Sequence, residues 1–142
     1  MEEVMWSSGA FWQQAAAILA AGLLFGGMTL FSMGFAAILF ASLPVDDARR
    51  VIRRAFPPFY LWVFLTSAGA GVLLWSVDEF SAWLMLIVAI STIPNRQVLM
   101  PAINIASDAG DKKAFARLHG LSVGITLIHI LMSAVVLVRL GS

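Results

Sequence analysis

No cysteine occurs in this chain of 142 residues, which excludes disulfides, thiolate metal sites and thiol nucleophiles. Charge is nearly as scarce, at 12% of residues, and every acidic residue falls outside the apolar runs. That removes the intramembrane carboxylate pairs on which proton pumps depend. Phosphate-cradling glycine loops, nucleophilic triads and HExxH zinc helices are missing too. The sequence therefore favours a non-enzymatic role, predicts no metal site and no cofactor, and carries no signature of nucleic-acid binding.

What is present is apolar surface, at 61% of residues and a mean hydropathy of +0.91. The longest charge-free run extends from Val4 to Val45, well beyond the roughly 20 apolar residues that cross a bilayer core. Three further apolar segments follow. Buried backbone must satisfy its own hydrogen bonds in lipid, so helices are favoured over open sheet. The expectation is an all-α integral membrane four-helix bundle forming a single domain. Its helices are expected at about 11–43, 58–77, 80–104 and 118–140. Met1-Glu2-Glu3 lacks the basic region and small-residue cleavage site of a secretory signal, so the first helix is expected to be retained.

The charges predict an orientation. Seven of the nine basic residues lie between helices one and two (Arg49, Arg50, Arg53, Arg54) or between helices three and four (Lys112, Lys113, Arg117). Positive charge retained on the cytoplasmic side puts both termini outside. Trp6, Trp12, Trp75 and Trp83 then form an outer aromatic belt. The expected location is the cell membrane, as a multi-pass protein, and the inner membrane if the source is bacterial. Pro44 with Asp46-Asp47 reads as a helix start and Pro57-Pro58 as a stop. These signals predict a cytoplasmic amphipathic basic helix over 45–56, with Arg49, Arg50, Arg53 and Arg54 contacting lipid headgroups.

Polar residues within the apolar spans mark candidate sites. His119, Ser122, Thr126, His129 and Ser133 recur at 3-4-3-4 spacing and share one helical stripe, which should face the bundle. The two histidines are about 15 Å apart along the axis and cannot ligate one ion together. Asn95 and Arg96 follow Pro94, and Pro101 lies further on. The prolines free the carbonyls of Ile90 and Gln97 beside a guanidinium, which suggests a polar pocket shared with His119 and Ser122. The expected ligand-binding set is Asn95, Arg96, His119, Ser122 and His129. Pairs of small residues (Gly22/Gly26, Ser67/Gly71, Gly120/Gly124) predict close helix packing, within the bundle or in a homo-oligomer. Soft copper ligation by His129 and Met132, with Met28, Met33 and Met85, is a minor alternative.

Several of these elements together resemble the transmembrane protein 205-like family, also described as domain of unknown function 4149. The residues are Gly26-Gly27 leading to Leu39-Phe40-Ala41-Ser42-Leu43-Pro44, then Ala55-Phe56-Pro57-Pro58-Phe59-Tyr60, Asn95 to Pro101, and Phe115-Ala116-Arg117-Leu118-His119-Gly120-Leu121-Ser122. One departure is the lack of asparagine between Val123 and Ile128, where the family often carries one. The resemblance implies a four-helix integral membrane protein of unassigned activity. It also implies distant similarity to small membrane proteins of copper resistance and haem biosynthesis. The leading expectation is a protein that binds or moves a small polar or amphipathic ligand through a cytoplasm-facing pocket. The alternatives are a haem-, porphyrin- or copper-linked redox protein, with His119 or His129 as haem ligand, and a structural assembly subunit.

Overall fold

A computed structural model describes residues 8–142, so Glu2, Glu3 and Trp6 lie outside the described residues. Four helices account for nearly all of it: α1 (Gly9–Ser42), α2 (Val45–Leu74), α3 (Glu79–Asp108) and α4 (Lys112–Gly141). Each is long and apolar enough to span a bilayer.

Local chemistry sets the helix ends. The Ser8 hydroxyl accepts the Phe11 N–H at 3.3 Å to open α1. Leu43, next to Pro44, is extended (φ −128°, ψ 154°), because the proline ring bars its neighbour from helical geometry. Gly110 closes α3 at φ +66°, where the N–H groups of Gly110 and Asp111 bond back to Ser107 and Ala106. The Asp111 carboxylate then accepts the N–H groups of Lys113 and Ala114 at 3.1 and 2.9 Å and starts α4.

The helices run up and down, α1 packing on α2 and α4, and α3 also packing on both. One end holds the start of α1, the end of α4 and the α2–α3 turn; the other holds the α1–α2 and α3–α4 connections and most of the basic residues. The core lies in the half nearer the termini, where Ala17, Leu24, Met28, Leu74, Met85 and Val136 are almost fully buried. That end is also fastened by polar contacts. Gln13 donates to the Leu73 carbonyl and the Ser76 hydroxyl, and Arg139 grips Asp78 through two hydrogen bonds while lying 4.8 Å from the Phe80 ring. Trp12, Trp75 and Trp83 gather there and are exposed, as an aromatic belt requires.

The other half packs loosely. From Leu30 to Ser42, α1 has no buried residue. A π-helical turn (Leu30–Phe35) interrupts α1 where the close packing ends, and a second (Asn95–Leu99) interrupts α3 at a similar height.

Two sequence expectations need correction. No separate basic helix forms over 45–56, because α2 continues through Pro57 and Pro58 to Leu74. Each proline forfeits one helical donor, but in a bundle neighbouring groups can compensate such a loss. Here Phe56, Phe59 and Tyr60 bracket the prolines and pack in an aromatic cluster with Phe31, which stacks on Phe59 at 3.9 Å. Similarly, α4 begins at Lys112, not near 118, since the Asp111 cap makes the basic segment its first turn.

Candidate functional site

The basic half of the bundle forms a half-open cavity of about 940 Å³, toward the upper end of the range typical of ligand sites. All four helices line it. Its α1 wall is Phe31, Met33, Phe35 and Phe40; α2 contributes Arg49, Ile52, Arg53 and Phe56; α3 contributes Met100, Ile103, Asn104 and Ser107. From Lys112 the α4 wall passes Phe115, His119, Ser122 and Thr126 to Leu127, a span of about 22 Å at 1.5 Å per residue. The cavity exists because α1 buries no residue from Leu30 to Ser42, so the interior behind this stretch is left unfilled.

The lining grades from polar to apolar. At the basic end are Arg49, Arg53, Lys112, Asp111, Asn104 and Ser107. Arg53 is committed to Asp108 through two hydrogen bonds, and Asp111 to its own helix. Arg49 meets Asp46 only at 3.9 Å, with both side chains largely exposed. Deeper in, His119 stacks on Phe115 with ring centroids 5.4 Å apart, and the Ser122 and Tyr60 hydroxyls lie 3.4 Å apart.

The predicted site residues divide among four places. His119 and Ser122 line the cavity. Arg96 does not join them: its Nε donates to the Pro57 carbonyl at 3.3 Å, in a recess of about 190 Å³ shared with Tyr60, Thr92 and Gln97. Its proline-adjacent carbonyl thus belongs to α2, not to Ile90 or Gln97, because α3 turns Arg96 toward that helix. Asn95 is buried, and its Nδ2 has no hydrogen-bond partner among the described residues. His129 belongs to the packed half, where its Nε2 lies 2.7 Å from the Ser91 hydroxyl. The α4 stripe faces inward at Ser122, His129 and Ser133, with Thr126 half-buried and His119 opening on the cavity.

Of the four arginines expected at headgroups, Arg49 and Arg53 line the cavity, Arg50 pairs with Asp47 at 3.3 Å, and Arg54 is exposed. The sequence reading did not assign Asn104, Ser107 and Lys112 to a site. The i, i+3 pairing of Asn104 and Ser107 on the last turns of an apolar helix was the available signal. Among the described residues no group of three or more histidine, aspartate or glutamate side chains converges on a metal position. Of the small-residue pairs, Gly71 packs tightly on Leu86, whereas among the described residues nothing crowds the position a Cβ would take at Gly120 or Gly124.

A bundle of four helices long and apolar enough to span, with an inward polar stripe and a basic cavity mouth, defines a multi-pass membrane protein. The chain belongs to the family described as domain of unknown function (DUF4149), which it matches over residues 19–112. That match takes in α1 from Leu19 onward, all of α2 and α3 and the first residue of α4, but not the Leu118-His119 element. Comparison with curated proteins and with solved structures gives no match.

Proposed function

We propose that this protein binds an amphipathic anion in the cavity at its basic end, with that end facing the cytoplasm. The observation that carries the reading is the stretch of α1 from Leu30 to Ser42, which buries no residue and whose phenylalanines wall an apolar chamber rimmed by Arg49, Arg53 and Lys112. An apolar tail fits the chamber and an anionic head fits the rim. The cytoplasmic placement rests on the concentration of basic residues there. His119 and Ser122 are the ligand-facing members of the originally expected set, and the likeness of Leu118-His119 and Phe56-Pro57-Pro58 to transmembrane protein 205-like proteins belongs to the same reading.

The test is titration of the detergent-purified protein with cis-parinaric acid, a fluorescent fatty anion. Saturable binding is expected, weakened about tenfold or more by Thr126→Trp, which fills the chamber. Ile128→Trp, on an exposed lipid-facing position, should leave binding unchanged. Equal binding by wild type and Thr126→Trp overturns the assignment.

A further inference from the structure

We infer that the occupant is a lipid of the adjoining leaflet carrying a phosphate monoester headgroup, admitted sideways between α1 and α4. The inference rests on the cavity being the binding site, and three observations extend it to a ligand class.

The first is where the chamber opens. Met33 and Phe40 on α1, and Val123 and Leu127 on α4, line it and are also exposed, Met33 by 70%. In a bilayer the surroundings of these side chains are acyl chains, so this side communicates with hydrocarbon and not with water. The second is shape. The α4 wall runs about 22 Å from Lys112 to Leu127, which suits an extended chain lying along the helices with its head at the basic end.

The third is the charge at that end. Arg53 is held by Asp108 and the Asp111 carboxylate by the first turn of α4. Arg49 and Lys112 remain, with no carboxylate closer than the 3.9 Å contact of Arg49 to Asp46 among the described residues. Two cations lining the same cavity as the Asn104 amide and the Ser107 hydroxyl match a head that carries nearly two negative charges and three acceptor oxygens. A phosphate monoester is such a head, while a phosphodiester or a carboxylate offers one charge.

Native mass spectrometry of the detergent-purified protein at pH 8 tests this with three amphiphiles of identical acyl chain. They are a monoacylglycerol phosphate, a monoacyl phosphatidylglycerol and the free fatty acid. The monoester is expected to bind about tenfold more tightly than either competitor. The double variant Arg49→Gln/Lys112→Gln, altered only at exposed positions, should bind all three alike. Inorganic phosphate in large excess should not displace the monoester.

Equal binding of all three amphiphiles by wild type overturns the headgroup assignment and leaves the cavity reading standing. Displacement by inorganic phosphate overturns the lipid source in favour of a free phosphate compound. Binding of none of the three overturns both readings together.

Discussion

Gly71 and Gly69 sit two residues apart on α2 and should respond to the same substitution with opposite sign. At Gly71 an alanine Cβ would come within 2.8 Å of the Leu86 Cγ and Cδ2 and 3.3 Å of the Ala82 carbonyl oxygen. Because Cγ is itself too close, swinging the end of the leucine is not enough, and α3 must retreat or Leu86 must leave its rotamer. Overpacking of this kind costs about 1–3 kcal/mol, and the better helix propensity of alanine returns at most about 1 kcal/mol. The net is a loss of about 1 kcal/mol. At Gly69 nothing lies within 4 Å of the added methyl, so only the propensity gain operates. The two variants should therefore differ by about 2 kcal/mol, or about 4–8 °C in midpoint for a chain of this size. Thermal unfolding in mild detergent, followed by far-UV circular dichroism, measures the gap. A Gly71→Ala protein as stable as Gly69→Ala would refute the claim that α2 and α3 meet backbone to side chain at this point.

Other expectations are equally direct. Asp78 titrates at about 2, chiefly because Arg139 hydrogen-bonds it and secondarily because Ser81 does. A carboxylate depressed in the folded state contributes stability that is complete above the ordinary value near 3.8 and disappears as pH falls through 2. Asp78→Asn should accordingly lower the melting midpoint by about 2 °C at pH 7, a small effect for an exposed pair, and the difference should close between pH 4 and 2. Ser91→Ala strands the buried His129 Nε2 and should cost about 1–3 kcal/mol. In a His129→Leu background the same change should be nearly neutral, since the Ser91 hydroxyl there bonds only the Ile87 and Val88 carbonyls; additive costs in the double variant would contradict this. Asn95→Leu removes a buried amide nitrogen that has no partner among the described residues and should stabilise the ligand-free protein by about 1–2 kcal/mol in chemical unfolding. Loss of stability there would mean that the amide is satisfied.

Much of the bundle was legible because apolar length alone forces spanning helices, and the 3-4-3-4 polar spacing of α4 correctly selected Ser122, His129 and Ser133 as inward-facing. The site was legible only in part. A periodicity argument ranks polar residues by the helix they occupy, whereas the cavity is made by what α1 does not bury, and Phe31, Met33 and Phe40 look like ordinary lipid-facing positions in the sequence. Pro57-Pro58 misled for a related reason: in water they would end a helix, but here an aromatic cluster holds both flanks. Arg96 went astray by helix rotation, since its neighbour Asn95 faces inward while Arg96 turns toward α2. The pairings of Arg53 with Asp108 and Arg139 with Asp78 join residues 55 and 61 positions apart, a distance over which local pattern carries no information.

The π-turn at Leu30–Phe35 makes chain length within α1 matter as much as composition. A wide turn takes up one extra residue, so the row that follows stands about 100° from where unbroken α-geometry would put it. A single-residue deletion between Leu30 and Phe35 would let α1 relax to regular geometry with Phe40 still on the chamber wall. Deletion of one residue below the turn, between Ala36 and Ile38, has no such buffer and would swing Phe40 off the wall by that step. Relatives that differ by one residue within the turn should therefore keep the same chamber, whereas an indel just below it would retune what the protein accepts without touching the basic mouth.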